Sequence, residues 1–270
     1  MADVGLRTPL LESFRRGEVP REVRLDAARG HLAPRGLEQL ALLALLIDDD
    51  DGEVRAAAEQ SLAAIPAASV AAVLARADTP GELVRFFAGR GVEPAPGAAT
   101  SAVEDDVPLI QAADAWDTID DTALPDGASG EAGAQSVTQQ LQQMSIVERV
   151  RAAMKGTREM RAMLVRDPNR MVSSAVLASP KLTMAEVESF AKMANVSEDV
   201  LRAIGQNRAW VKSYAVAASL TRNPKTPVAL SMNLLQRLIE RDVRGLSVDR
   251  NVPEPLRLAA RRKLVKGGNG

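Results

Sequence analysis

Apolar positions in this chain fall on helical stripes. Ile146, Val150, Ala153 and Met154 line one side of a helix behind Ser145, and Met160, Met163 and Leu164 line the next, within 157–165. Leu37 to Ile47 is an 11-residue apolar run broken only by Glu38 and Gln39, and it reads as the second helix of a pair, as does Val70 to Leu74. Start signals precede the stripes. Ser145-Ile146-Val147-Glu148 is a capping box, and Thr79-Pro80-Gly81-Glu82 reads as another, with proline at N1, opening a helix through Phe87. Thr183, Ser197 and Thr226 stand where caps are expected. Asp48 to Asp51 puts four carboxylates before the helix that Val54 begins, where capping and the macrodipole explain them better than a metal site.

The elements repeat. Pro20-Arg21-Glu22-Val23-Arg24 with Ala27-Ala28 returns 31 residues on as Asp51-Gly52-Glu53-Val54-Arg55 with Ala57-Ala58. Later, Arg166-Asp167-Pro168-Asn169 leads through Val172 to Ser179-Pro180-Lys181-Leu182-Thr183. Gly205-Gln206-Asn207-Arg208 leads through Val211 to Asn223-Pro224-Lys225-Thr226-Pro227. Setting Val172 on Val211 gives a period of 39, and Leu256, after Asn251-Val252-Pro253, lies 45 beyond Val211. A helical repeat is the architecture such spacing predicts.

The pattern Asp-x-x-x-x-Val-x-x-x-Ala, then Asn-Pro-x-Thr-Pro before a leucine helix, is carried by Asp167, Val172, Ala175, Asn223 to Pro227 and Leu230. It resembles HEAT-like and variant leucine-rich helical repeats. The C-terminal half, through Asn195-Val196-Ser197 and the segments above, is also similar to helical-repeat proteins of delta-proteobacteria. That resemblance implies an all-α fold used as a scaffold, occasionally for nucleic acid or catalysis.

Composition adds to this picture. Hydrophobic residues make 46% of the chain and aromatics 3%, so Ala, Leu and Val must do the packing, which suits close-stacked helices. There is no cysteine, and the N-terminus reads as lacking a secretory signal, so a cytoplasmic protein is expected. Charge divides the chain: residues 1–90 carry net −3, residues 91–136 net −10 with no basic side chain, and residues 137–270 net +12. The expected organisation is therefore an N-terminal HEAT-like module (1–90), an acidic Pro/Gly-rich disordered linker (91–136), a basic helical-repeat domain (137–266) and a polar tail (267–270).

Catalytic chemistry is poorly represented. His31 is the single histidine and sits at a helix end, where it is expected to meet last-turn carbonyls; no Walker-type loop is present. A non-enzymatic role without cofactor or metal is expected. The candidate binding residues are two groups. In the linker, Ile110, Trp116 and Ile119 fall on one side of a short helix amid aspartates, a docking motif expected to fold on the basic module and compete there with an acidic protein partner. In the C-terminal domain, Arg257, Arg261 and Arg262 cluster on the terminal helix, and Trp210 and Tyr214 are spaced i, i+4 as core filling or a groove wall. The alternative reading is a nucleic-acid binder using those arginines, without the stacking aromatics such proteins favour.

Overall fold

The computed structural model describes residues 5–6, 8–33, 35–96, 106–110 and 131–267, with side chains of the last stretch described from 137 to 265. Among these residues there are seventeen helices and no strand, so the chain is all-α. It divides into two compact units, Met1–Met160 with Ala178–Pro180, and Arg161–Leu177 with Lys181–Gly270.

The first unit holds α1 (Pro9–Arg15), α2 (Arg21–Ala28), α3 (Gly36–Leu46), α4 (Gly52–Ala64), α5 (Ala67–Leu74), α6 (Gly81–Ala88), α7 (Glu131–Gln143) and α8 (Ile146–Lys155). The 31-residue repeat becomes geometry here: α2 and α4 start 31 residues apart, and so do α3 and α5. Val23 and Val54 occupy the third position of their helices and are both fully buried. All eleven residues of α3 are buried, as a helix apolar on every side requires, and α1, α2, α4, α5 and α6 pack around it. Asp51 caps α4 by accepting from the Glu53 and Val54 amides, and its carboxylate also takes Arg21 of α2 at 2.6 Å. The carboxylate run at 48–51 thus does the capping work its position suggested.

The second unit contains α10 (Arg170–Ala178), α11 (Met184–Lys192), α12 (Glu198–Gln206), α13 (Arg208–Val211), α14 (Tyr214–Arg222), α15 (Val228–Leu235), α16 (Glu240–Val248) and α17 (Glu254–Gly267); the boundary between units falls inside α9 (Arg158–Leu164). Residues 193–197, 223–227 and 249–253 are five-residue connectors of one design. The first residue (Met193, Asn223 or Asp249) leaves its helix with extended backbone, and the fourth (Val196, Thr226 or Val252) is buried. Asn223 shows what the first position can add: its amide donates to the Ala191 and Met193 carbonyls, both at 2.9 Å, and its oxygen accepts from the Lys225 amide. Those carbonyls end α11, so one side chain satisfies groups that the helix itself leaves open.

Two expectations are corrected by this register. Ser179-Pro180-Lys181 matches Asn223-Pro224-Lys225, so Val172 corresponds to Val216, 44 residues on, and not to Val211 at 39. Val172 and Val216 are both fully buried; Val211 is half-buried at the end of four-residue α13. The break at Lys212-Ser213 also parts Trp210 from Tyr214, which therefore do not share a helix face.

Two caps are corrected as well. In α6 and α15 the residue before the helix is Pro80 or Pro227, not the threonine. Pro20 and Pro66 stand in the same place for α2 and α5. Proline's fixed φ suits the extended cap conformation, and its carbonyl takes the first helical bond, as Pro80 does from Val84. The displaced Thr79 hydroxyl donates to the Val73 carbonyl at 2.8 Å, and the buried Thr226 hydroxyl finds no partner among the described residues. Thr183 and Ser145 form full capping boxes, and Ser197 caps α12.

Candidate functional site

In the first unit the chain returns to α3 through residues 106–110, which sit across its N-terminal end. Gln39, 1% exposed, makes four bonds there. Its oxygen accepts from the Leu109 amide at 2.7 Å and the Ile110 amide at 2.9 Å, while its nitrogen donates to the Ile110 carbonyl at 3.0 Å and the Gly30 carbonyl at 2.6 Å. A primary amide has two donors and an acceptor oxygen, and here every one is used. Asp106, almost fully buried, pairs with Arg76 at 3.0 Å and accepts from the Leu37 amide at 3.3 Å, at the first turn of α3 where the helix dipole favours an anion. Arg76 also grips Asp78, and both partners raise its affinity for its proton, Asp78 most.

Glycine makes this close approach feasible. Gly30 has φ 80°, and a Cβ there would stand 2.7 Å from Ile110 Cδ1; a Cβ on Gly36 would stand 2.9 Å from the Val107 carbonyl oxygen. Ile110 also borders a concavity of about 490 Å³ between α2 and α4, whose walls include Leu25, Ala57 and Ala64.

The linker expectation is corrected at two places. Residues 91–96 stay on the first unit, with the Val92 amide donating to Phe87 and the Ala95 amide to Ala71. Residues 106–110, expected against the basic module, are seated on the N-terminal helices instead. The averaged composition of 91–136 concealed this, because Val107, Leu109 and Ile110 are concentrated in five residues. Trp116 and Ile119 lie outside the described residues.

Nearby, His31 meets a carboxylate, not the helix carbonyls expected for its side chain. Its Nδ1 lies 3.2 Å from Asp26 Oδ1, and Arg151 of α8 pairs with the same buried aspartate. This joins α8 to α2 within the unit.

The second unit carries its charged groups differently. Arg161 and Glu186 are buried at 1% and 3% side-chain exposure and paired at 2.9 Å; the other Glu186 oxygen completes the Thr183 capping box. The Tyr214 hydroxyl donates to Asp242, which also meets Arg222 at 2.7 Å. Burial and then that hydrogen bond hold the Tyr214 phenol above its ordinary range, while the Tyr214 donor and then the neighbouring arginines hold Asp242 below the usual carboxylate value.

The terminal helix sorts its basic residues by role. Lys263 Nζ donates to the Leu235 and Gln236 carbonyls at 2.7 and 2.9 Å, closing the end of α15, while Leu256 and Ala260 pack into the core. Arg261 donates to the Ser247 carbonyl at 3.0 Å. Arg257 and Arg261 line a concavity of about 510 Å³ with Arg250 and Glu254, and its remaining wall is the exposed Val248 and Leu258. Arg262 is exposed but does not line it.

No family model matches this chain, and no curated protein or solved structure does so either. The function must therefore be argued from these two surfaces. Among the described residues no three His, Cys, Asp or Glu side chains are grouped as metal ligands, and no single helix is long and apolar enough to cross a membrane.

Sequence reading anticipated Arg257, Arg261 and Ile110 but passed over Gln39 and Gly36. A signal for Gln39 was present: an amide inside an apolar run is buried with the run and must find partners.

Proposed function

We propose that the chain is a non-enzymatic protein-binding scaffold built of HEAT-like helical repeats. Its second unit receives an acidic segment of a protein partner in the concavity at α16 and α17. The observation that carries this reading is the combination in one hollow of Arg250, Arg257 and Arg261 with the exposed Val248 and Leu258. Cations steer an acidic segment, and the apolar pair rewards one with hydrophobic side chains. Glu254 in the same hollow disfavours a bare phosphate backbone, which gains only from the arginines.

The test uses two labelled probes, an acidic amphipathic peptide and a DNA duplex, titrated with the full chain at several salt concentrations. For the peptide, R257A/R261A and L258S should each weaken binding about tenfold, since both charge and apolar contact contribute. Duplex binding with a steep salt slope, insensitive to L258S, would instead assign the arginines to nucleic acid. If neither probe responds to these substitutions, the surface has been misassigned.

A further inference from the structure

A side chain that spends all its hydrogen-bonding capacity on a distant backbone is an arrangement for holding a peptide. Gln39 pairs with both the amide and the carbonyl of Ile110, as a neighbouring strand would, and adds the Leu109 amide. Gln39 belongs to α3 and Ile110 follows it by 71 residues, so the seat and its occupant are formed by separate parts of the chain. The ends of the occupant are fixed by chemistry of two kinds. Asp106 enters a buried ion pair with Arg76 at the start of α3, and Ile110 lies over the bare surface of Gly30. Between them, the absence of a side chain on Gly36 admits the Val107 carbonyl.

We propose that this seat is a peptide-recognition site, filled in cis by residues 106–110, and that it accepts in trans an extended segment of a partner protein. Such a segment carries an aspartate and, four residues later, a branched apolar side chain. The groove does not end with its occupant. The concavity beyond Ile110, walled by Leu25, Ala57 and Ala64 and flanked by Arg29 and Glu53, offers further surface to a longer segment. The site is distinct from the hollow on α16 and α17, and either can fail without the other. Residues 106–110 act as a tethered competitor, because a short tether holds its ligand at an effective concentration on the order of millimolar. A partner therefore gains entry when its own affinity or local concentration exceeds that of the tether.

The experiment uses the full chain and a labelled synthetic peptide of residues 105–111. Wild-type protein should bind it weakly. Weakening the tethered copy by D106N/I110A should tighten peptide binding about tenfold or more, as the internal competitor is removed. On that background R76Q should reverse the gain by removing the aspartate's partner. G36A should reverse it too, by placing a methyl group against the incoming carbonyl. Alanine favours the helix over glycine, so the G36A chain should stay folded while losing the peptide; G81A, in open space, serves as the control.

A second measurement needs no substitution. Excess peptide should speed hydrogen exchange at the Leu109 and Ile110 amides of the wild-type chain, leaving α3 protected. The proposal is overturned if D106N/I110A stays folded and fails to bind, or if those amides exchange only with global unfolding; either result makes residues 106–110 a structural strap. It is also overturned if the wild-type mass rises with concentration while free peptide has no effect, which would give the seat to a second copy of the chain.

Discussion

Glu38 and Arg161 are both buried charges, yet they are held in opposite ways. Arg161 has a full counter-charge in Glu186. Glu38 is 4% exposed and has the Thr8 hydroxyl as its donor, so burial pushes its carboxyl up, against the hydrogen bond from Thr8. A carboxyl raised in this way supports folding fully below its ordinary value of 4.5, and that support is lost as pH rises through the higher folded-state value. E38Q, which keeps the acceptor for Thr8, should therefore melt higher than wild type at pH 7, with the difference closing near pH 4. Equal melting temperatures at pH 7 would contradict the assignment. For the buried pair, R161M should cost about 3 kcal/mol by stranding Glu186, and R161M/E186Q should recover part of that in a denaturant titration. Glu38 and Gln39 were visible as polar interruptions of an apolar run. The depth of Arg161 was not, since Arg158-Glu159-Met160-Arg161 looks like an ordinary exposed first turn.

Helix ends were legible where the determinant is local. Ser145, Thr183 and Ser197 each cap the helix that follows, because a hydroxyl needs only the next three amides. Thr79 and Thr226 misled because the following proline takes the cap position itself. This yields a contrast between two threonines in similar sequence. T183A should lose about 1 kcal/mol with its capping box, whereas T226V should raise the melting temperature, since it replaces a buried hydroxyl that has no partner by a methyl group. N223A should be the most damaging connector change, about 2 kcal/mol, as it leaves the two α11 carbonyls and the Lys225 amide without their side-chain partner. The 31-residue repeat was readable because equal connectors keep Val23 and Val54 in step. The 39-residue spacing failed because α13 interposes a short turn of helix before the true equivalent of α10.

At the scale of the molecule, acid should act on both units through the same chemistry. Hydrogen bonds from Arg90, Arg76 and Tyr214 hold Glu59, Asp78 and Asp242 below the usual carboxylate range. Each lowered carboxyl lends support that is complete above its ordinary value, 4.5 for Glu59 and 3.8 for the aspartates, and is lost as pH falls through the folded value. Stability followed by circular dichroism should thus decline below about pH 4, outweighing the opposite trend of Glu38. A flat profile to pH 2.5 would show that these pairs contribute little. The division of charge along the sequence anticipated a basic surface in the second unit, but the acidic stretch gave no hint that Asp106 is buried against Arg76, because a count of charges ignores which of them are enclosed. One further consequence follows from how Gln39 works. It grips amide and carbonyl groups common to every amino acid, so the middle of the held segment is free to drift in evolution while its two ends stay fixed. A randomised display library selected on this protein should converge on the outer positions, stay diverse between them, and in that way spell out a short, permissive vocabulary.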